Sequence, residues 1–385
     1  MQVTASAKIK IPLRPEIAKT VKVYTKGLQY CVDTGWEKNL TNKFKLQGKV
    51  YGLLKDMGLQ SQLAIACIRQ ACAIVKRAKK GKSKPVIRNT SVRYSYSRSF
   101  SFKNNILSLS TIDGRVRIPF TIPECYKGYF DHWQIAESLL RIDRKGRAFF
   151  LFTFSKEVEP KALDSRLHTS VLGVDLGVYN LAVTSDGTFY SASHIRRVKR
   201  RYQYLRSKLT AKGTKSAKRL LRKRSGKERR FVANINHCVS KQIVNSFDGT
   251  KIVLENLKGM RDTYRGKCVN YWIHNWSYFE LQAFIQYKAE RKGIAVEKVK
   301  PNYTSKLCHR CGNLGNRIQG MISCPHCKLV DFSSDLNSAR NLAHPMLGER
   351  QAAVNQPDAV CDEAEGHTAI EAEHNCKRAT TKAYS

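Results

Sequence analysis

The sequence predicts a multidomain α+β and α/β protein, in which an antiparallel β domain with a helical insertion is followed by an α/β domain. The spacing of apolar residues changes from alternating to helical and back to alternating along the N-terminal half. Strand-like runs alternate with helical ones in the C-terminal half, which is typical of α/β domains. The chain has 385 residues, enough for two or three domains at roughly 150 residues each.

The N-terminal β domain is predicted from two separate parts of the chain. Residues 1–12 alternate like a strand, and the alternation returns as one strand over residues 92–102. Asp113-Gly114 and Lys145-Gly146 mark hairpin turns between further strands. We therefore predict one β domain over residues 1–12 and 86–165.

The insertion between these two parts is predicted to be helical. Leu59, Leu63 and Cys67 recur every four residues, and similar spacing extends from about residue 14 to about residue 78. We predict a helical insertion over residues 13–85.

Residues 166–300 and 328–345 are predicted to form the α/β domain. The predicted strands cover Val171–Leu176, Asn180–Ser185, Thr250–Leu254 and Ile294–Val299, and an amphipathic helix covers Trp276–Lys292. Residues 346–385 are partly acidic and lack periodicity, so we predict a disordered tail there.

The charge of the chain predicts a polyanionic partner. Lys plus Arg number 69 and Asp plus Glu number 30, so the formal net charge is +39. This charge argues against an ordinary metabolic enzyme, whereas 42% hydrophobic residues argue against a disordered chain. Nucleic acid binding would be driven by the release of condensed counterions. An anionic membrane surface is the alternative, although no apolar run reaches the ~18–20 residues of a transmembrane helix.

The expected location is the cytoplasm. The first eight residues lack the apolar stretch of a secretory signal. The 12 cysteines are scattered, apart from one group, which is typical of a reducing compartment rather than a secreted disulfide framework.

Four cysteines have the spacing of a zinc site. Cys308 and Cys311 are separated by two residues, as are Cys324 and Cys327, and twelve residues lie between the pairs. Four thiolates would complete a tetrahedral shell, so the predicted zinc is structural. A redox pair and unliganded core cysteines are the alternatives. The histidines inside the pairs, His309 and His326, are surplus as ligands and are expected on the surface.

Three carboxylates stand where an α/β sheet carries functional side chains. Asp175 and Glu255 each end an apolar run, and Asp335 falls in the first turn of a predicted helix. Converging carboxylates favour Mg²⁺ or Mn²⁺ and phosphodiester hydrolysis with two metal ions. Singly, each has an ordinary explanation: a turn, an edge-strand ion pair or a helix cap. Asp331 competes with Asp335 as the third carboxylate.

Residues 196–230 form a basic helical stretch with 17 Lys or Arg residues and one acid, Glu228. A solvated helix normally mixes charges of both signs, so this stretch predicts nucleic acid binding, with Tyr202 and Tyr204 as stacking surfaces. A merely soluble helical face is the alternative. The predicted contact residues are Arg196, Arg197, Lys199, Arg200, Arg201, Lys218, Arg219, Arg222, Lys223 and Arg224.

These features, in this order, resemble the TnpB nucleases of insertion sequences, relatives of the compact type V CRISPR effectors. The resemblance covers about residues 170–345. Residues 173–177 (GVDLG), 253–257 (VLENL) and 335–342 (DLNSARNL) are similar to the first, second and third RuvC motifs of that family.

The resemblance implies an RNase H-like RuvC nuclease domain with a zinc ribbon inserted at residues 301–327, and an N-terminal wedge-like β-barrel whose helical insert serves recognition. It implies that Asp175, Glu255 and Asp335 are catalytic ligands of magnesium. A guide RNA would pair with the target DNA, and the RuvC centre would cut it. It also implies a prokaryotic cytosol or nucleoid and a partner transposase encoded by the same element.

Two alternatives fit the same residues. A guided or zinc-dependent DNA-binding regulator would bind without cutting, and a compact type V CRISPR effector would carry the same motifs. Since all three carboxylates are present, we expect a nuclease.

Overall fold

The computed structural model describes residues 1–81, 83–161, 171–260, 262 and 266–354, apart from the side chains of residues 267 and 268. The chain divides into two compact units, residues 2–157 and residue 1 with the chain from residue 158 onward. Both units combine helices with strands, so the predicted multidomain α+β class is confirmed. No helix in the described part of the chain is long and apolar enough to cross a membrane.

The first unit, residues 2–157, contains two antiparallel sheets and a group of helices. Its elements are β1 (Gln2–Ile11), α1 (Pro15–Glu37), α2 (Lys43–Asp56), α3 (Ser61–Lys80), β2 (Val92–Tyr94), β3 (Phe100–Lys103), β4 (Ile106–Thr111), β5 (Gly114–Pro119), α4 (Lys127–His132), β6 (Gln134–Ile135), β7 (Ser138–Ile142) and β8 (Ala148–Glu157). One sheet has the order β1-β8-β7-β2 with β6 paired to β8, and the other has the order β3-β4-β5. Among the described strands no pairing closes either sheet on itself, so the predicted barrel is not confirmed.

Alternating side chains explain the core of this unit. The ten residues of β1 pair in register with β8, and every second side chain of β1 is buried. Phe150, Phe152 and Phe154 on β8 are fully buried in the same core, as are the apolar faces of α1, α2 and α3. The two periodicities of the sequence therefore meet in one hydrophobic core.

The alternation over residues 92–102 does not form the single strand that we predicted. β2 ends at Tyr94 and β3 begins at Phe100, and Ser97 between them has a φ of 63°. A residue in the left-handed region turns the chain, so the two halves of the pattern belong to different sheets.

The second unit contains a mixed sheet, a long helical hairpin and a small cysteine-bearing sheet. Its elements are β9 (Val171–Asp175), β10 (Asn180–Thr184), β11 (Phe189–Ser191), α5 (Ser193–Lys212), α6 (Lys215–Asn245), β12 (Lys251–Glu255), α7 (Lys267–Asn275), α8 (Tyr278–Arg291), β13 (Ala295–Val299), β14 (Asn316–Ile318), β15 (Met321–Cys324), β16 (Leu329–Ser333), α9 (Ser334–Ala343) and α10 (Leu347–Val354). The mixed sheet has the order β11-β10-β9-β12-β13. β9, β10 and β11 are antiparallel neighbours, whereas β9, β12 and β13 run parallel.

Two predictions about helices in this unit need correction. The basic stretch forms two helices, because Gly213, with a φ of 61°, ends α5 and the Thr214 hydroxyl then caps α6. The predicted disorder over residues 346–385 is wrong for α10, and the rest of that tail, residues 355–385, lies outside the described residues.

Candidate functional site

Three carboxylates meet at one end of the mixed sheet. Asp175 is the last residue of β9 and Glu255 is the last residue of β12, and these strands are parallel neighbours in which Leu254 lies opposite Val174. The carboxyl ends of parallel strands share one edge, so the two side chains are brought together. Asp335 joins them from the first turn of α9.

Gly173 allows α9 to lie directly on β9. A methyl group at Gly173 would be 1.9 Å from the carbonyl oxygen of Ala339 and 2.7 Å from the backbone nitrogen of Ala343. No larger side chain fits such a gap without moving the helix. The helix that begins with Asp335 is thereby held against the strand that ends in Asp175.

The electrostatics of the site reflect this convergence. Burial raises the pKa of Asp175 well above its usual value, and the negative charges of Glu255 and Asp335 raise it further. Burial also raises the pKa of Glu255, although a hydrogen bond from Thr304 opposes the shift. The fold therefore concentrates negative charge that is unfavourable without a cation.

Hydrogen bonds fix the orientation of two of these carboxylates. Asn180 Nδ2 donates to Asp335 Oδ2 at 2.9 Å, and Thr304 Oγ1 donates to Glu255 Oε1 at 2.5 Å. Gln282 Nε2 donates to the backbone oxygen of Glu255 at 2.7 Å. Asn180, Thr304 and Gln282 come from elements far apart in the chain, so no spacing in the sequence brings them to one site.

Arg317 brings a positive charge to the same carboxylates. It lies on β14, and its Nη1 donates to Ser305 Oγ at 3.1 Å. Its charge lowers the pKa of both Asp175 and Glu255, against the effect of burial. No motif or spacing pointed to this residue, since only the fold carries the cysteine hairpin to the sheet edge.

The carboxylates suit a hard divalent cation such as Mg²⁺ or Mn²⁺. Oxygen ligands and uncompensated negative charge are what such ions require. Among groups of three or more ligating residues in the described part of the chain, only the four cysteines bring all donor atoms within 4.8 Å of one another. The three carboxylates are not such a group, so their nearest oxygens do not all lie within 4.8 Å of one another.

Asp331, the competing third carboxylate, stands apart from this centre. It is exposed on β16 with a φ of 46°, and it is not among the charges that shift the pKa of Asp175. The structure brings Asp335 to the cluster instead.

The four cysteines form a second, closed centre. Cys308 Sγ lies 3.5 Å from Cys327 Sγ, and Cys311 Sγ lies 3.5 Å from Cys324 Sγ. Tetrahedral zinc with Zn–S bonds of about 2.3 Å places sulfurs about 3.8 Å apart, so the cluster fits this ion. Four sulfurs leave no coordination position for a substrate, which favours a structural role.

The segment from Thr304 to His309 links the two centres. Asn337 Nδ2 donates to the Leu307 oxygen at 2.7 Å, and the His309 N–H donates to Asn337 Oδ1 at 2.9 Å. Asn341 Nδ2 donates to the Thr304 oxygen at 2.8 Å. Both asparagines are fully buried on α9, so the helix that carries Asp335 is tied to the segment that carries the first cysteine.

His309 is not the free surface histidine that we expected. Its ring stacks on Phe332 with centroids 4.7 Å apart, and its Nε2 lies 3.0 Å from Arg340 Nη1. His326 is exposed, as expected. His309 therefore packs the first cysteine pair against α9 rather than adding a ligand.

Most of the predicted nucleic-acid-binding residues are exposed on α5 and α6. The exposed ones are Arg197, Arg200, Arg201, Lys218, Arg219, Arg222 and Lys223, and Arg196 and Arg224 are half-buried. The prediction is wrong for Lys199, which is 7% exposed and donates its Nζ to the backbone oxygen of Asn275. A cleft of about 510 Å³ between the helices is lined by four basic residues, by Tyr202 and by three apolar residues, Val198, Leu205 and Leu220.

Comparison with known proteins connects these features to two families. A family model described as the Cas12f1-like TNB domain matches residues 278–342, and the OrfB_IS605 model, described as a probable transposase, matches residues 154–262. The TnpB-like protein MJ0751 of Methanocaldococcus jannaschii is 26% identical over 265 residues, which cover 63% of this chain and 91% of that protein. The chain is related to the TnpB and Cas12f proteins.

The Cas12f relatives are longer than this chain. The CRISPR-associated endodeoxyribonuclease Cas12f1 of Sulfoacidibacillus thermotolerans is 30% identical over 235 residues, which cover 55% of this chain and 53% of that protein. A cryo-EM structure of a Cas12f1–sgRNA–target DNA complex aligns with a TM-score of 0.58 at 16% identity, over 86% of this chain and 83% of that one. The fold is therefore shared with Cas12f, and this chain spans about half the length of the curated Cas12f1 relatives.

Proposed function

We propose that this chain is a transposon-associated, RNA-guided DNA endonuclease that hydrolyses target phosphodiester bonds at Asp175, Glu255 and Asp335. The observation that carries the proposal is the convergence of these three carboxylates from two parallel strand ends and a helix start. The order of the mixed sheet supports an RNase H-like RuvC domain, and the four-cysteine hairpin supports an inserted zinc ribbon.

The residues of the site have distinct roles in this mechanism. Asp175, Glu255 and Asp335 would hold the metal ions, while Thr304 and Asn180 keep two of these carboxylates in a fixed orientation. Bound magnesium would activate a water molecule and would stabilise the leaving oxygen of the phosphodiester. Arg317 offers a positive charge at the same edge, where the negative charge of a phosphate would otherwise be repelled by the carboxylates.

Guide RNA and target DNA are the proposed partners. The net charge of +39 and the exposed Lys and Arg residues of α5 and α6 supply affinity for phosphates. Sequence specificity would come from base pairing with the guide, as in other RNA-guided nucleases. The relatives named above as an endodeoxyribonuclease and as a complex with sgRNA and target DNA support this choice of partners.

The proposal is tested by purifying the protein from a host that expresses its native locus and sequencing the RNA that co-purifies. We expect one discrete RNA with a variable end, and magnesium-dependent cutting of a plasmid that matches this end. Heterogeneous RNA that high salt removes would contradict guidance.

A pair of variants separates cutting from binding. Asp175→Asn is expected to abolish cutting while keeping the RNA bound, because it removes a metal ligand without changing the size of the side chain. Asp331→Asn is the matched control and should cut normally, since Asp331 is exposed and outside the cluster. RNA binding without cutting by the unmodified protein would favour the DNA-binding regulator instead.

A further inference from the structure

Two clefts of the α5–α6 hairpin combine positive charge with apolar side chains. In the cleft of about 510 Å³, the three apolar residues named above lie beside four cations, Arg201, Lys223, Arg224 and Lys227. A second cleft, of about 420 Å³, has three leucines in its wall, Leu205, Leu209 and Leu221. The phosphate backbone of a nucleic acid pairs with cations but offers nothing to leucine side chains. The clefts therefore favour an anion that also carries apolar groups.

The cations of the first cleft have no partner of opposite charge within the hairpin. Glu228, the one acid of residues 196–230, pairs with Arg206, and none of the four cations forms an ion pair with a described carboxylate. Arg224 lines both clefts, and its Nε is buried without a hydrogen-bond partner among the described residues. A buried donor without a partner has an energetic cost that a carboxylate in the cleft would relieve.

The chain itself contains such an anion beyond α10. Residues 358–373 carry six Asp and Glu residues, one fifth of the 30 in the whole chain, and no Lys or Arg lies between residues 355 and 376. Val360, Ile370 and four alanines are interspersed with these acids. An acidic segment with interspersed apolar residues matches both the charge and the leucines of the clefts.

The sheet places the beginning of α5 and the end of β13 on one side. β11, which precedes α5, and β13 both run parallel to β9, so their carboxyl ends lie at the same end of the mixed sheet. α10 is held just after β13, because Gln351 Nε2 donates to the backbone oxygens of Lys300 and Asn302 at 3.1 and 2.6 Å. The acidic segment therefore leaves the described fold at the end of the sheet from which the hairpin begins.

The segment is long enough to reach the clefts. Four spacings of about 4.8 Å separate β11 from β13, or about 19 Å, and the cleft residues of α5 lie within about 18 Å of its first residue. Glu371 is 17 residues beyond Val354, and an extended chain of that length spans about 56 Å. Acids in the second half of the segment can thus reach the clefts without any movement of the described fold.

We propose that residues 358–373 dock in the clefts of the α5–α6 hairpin of the same chain when nucleic acid is absent. Carboxylates of the segment accept from Arg224 and pair with Lys223 and Lys227, while its apolar side chains cover the leucines. Nucleic acid that binds the hairpin must displace the segment, which therefore acts as an internal competitor. The docking goes beyond the proposed function and does not depend on whether the chain cuts DNA.

The test is cross-linking of the full chain with a water-soluble carbodiimide, after high salt has removed nucleic acid and the salt has been lowered again. This reagent joins a carboxylate to a lysine only where the two already touch, and mass spectrometry identifies the joined peptides. We expect amide links from residues 358–373 to Lys223 and Lys227, formed at the same rate per molecule at every protein concentration. A random-sequence RNA, added in excess, should suppress them.

Three variants separate docking from general attraction between charges. Arg224→Gln should lower the initial rate of linking several-fold, because it removes the buried unpaired donor. Arg229→Gln is the matched control and should leave the rate unchanged, since Arg229 is exposed on the same helix and lines neither cleft. Val360→Ser combined with Ile370→Ser keeps every charge and should also lower the rate, whereas attraction by charge alone would leave it as it is.

Three results would overturn the docking. Links spread evenly over the exposed lysines of the hairpin, including Lys215 outside the clefts, would mean attraction without a site. Links whose rate rises with protein concentration would place the segment on a second copy of the chain. An absence of links, while the RNA still protects Lys223 and Lys227 from acylation, would leave the clefts to nucleic acid. These measurements involve neither magnesium nor cutting, so their failure is distinct from failure of the nuclease proposal.

Discussion

Asp175 follows four apolar or small residues of β9, so the same strand that builds the sheet carries a carboxylate into a place where burial raises its pKa. The neighbouring charges of Glu255 and Asp335 add to this effect. A carboxylate with a raised pKa binds a proton more tightly in the folded state than in the unfolded state. Below about pH 3.9, the pKa of the carboxyl group in the unfolded state, both states are protonated and the raised pKa does not change the free energy of unfolding. As the pH rises above this value the folded state loses stability, and the loss is complete above the pKa of the folded state.

We therefore expect Asp175→Asn to stabilise the magnesium-free protein at pH 7, because a neutral amide avoids both the burial of a charge and the repulsion by Glu255 and Asp335. The difference should shrink towards pH 4, where the wild-type carboxyl is protonated as well. Thermal unfolding of both proteins between pH 4 and pH 8 measures it, in buffers that leave zinc bound. A wild-type protein as stable as the variant at pH 7 would contradict the repulsion described above.

Residues of the candidate site differ in how far sequence could predict them. The four cysteines have a spacing that reflects the geometry of one tetrahedral ion, and Asp175 and Glu255 follow apolar runs that mark strand ends. Arg317 and Thr304 have no such local signal, because they reach the carboxylates only through the fold. For Lys199 a local signal was misleading. Its charge predicted a contact with nucleic acid at the surface, but helix packing buries the side chain against Asn275.

At the scale of elements, α9 is the part on which both centres depend. Gly173→Ala would place a methyl group 1.9 Å from the Ala339 oxygen, so α9 must move away from β9. We expect a decrease of about 3 kcal/mol in the free energy of unfolding, together with reduced cutting because Asp335 shifts. Chemical denaturation measures the first and plasmid cleavage the second.

Gly48→Ala is the control, since nothing lies within 4 Å of a methyl group at that position of α2. It should stabilise the protein by about 0.5–1 kcal/mol. If Gly173→Ala behaved like Gly48→Ala, the close contact between α9 and β9 would be wrong.

The hydrogen bonds between α9 and the Cys308–Cys311 pair predict that α9 helps to retain zinc. Asn337→Ala removes the acceptor of the His309 N–H, and a buried donor without a partner costs about 1–3 kcal/mol. We expect zinc to leave this variant faster, as followed with a coloured chelator. Asn316→Ala, an exposed change in the same cysteine hairpin, should release zinc at the wild-type rate. Equal rates for all three proteins would rule out a contribution of α9 to zinc retention.

For the molecule as a whole, net charge predicted the class of partner and the apolar periodicity predicted the fold class. The changes of apolar period predicted the mixture of helices and strands, because burial on one face is what each period reflects. They could not predict that β1 and β8 pair along their full length or that the described sheets stay open, since pairing between distant strands leaves no local pattern. The break at Gly213 was also hidden, because a single glycine is tolerated inside many helices.

The excess of positive charge predicts that the exposed cations of α6 contribute to the affinity for nucleic acid and to its salt dependence. Reversing three exposed charges on α6, with Arg219→Glu, Arg222→Glu and Lys223→Glu combined, should weaken nucleic acid binding. The slope of log affinity against log salt should flatten by about 0.9 for each duplex phosphate that the variant no longer neutralises. Binding measured over a range of salt concentrations gives this slope. The melting temperature serves as the control and should not fall, because these side chains are solvent-exposed. An unchanged slope would mean that α6 lies outside the binding surface.

The hydrogen-bonded segment from Thr304 to His309 also constrains how such a protein can change over generations. A lineage under no selection for cutting can lose Asp175 through one substitution and still fold, because that change relieves repulsion. Losing Cys308 instead removes one thiol of the four-cysteine cluster and disturbs the backbone that orients Glu255 through Thr304. Inactive descendants should therefore retain their cysteines and lose carboxylates first, and a descendant without cysteines should also lack a working carboxylate centre.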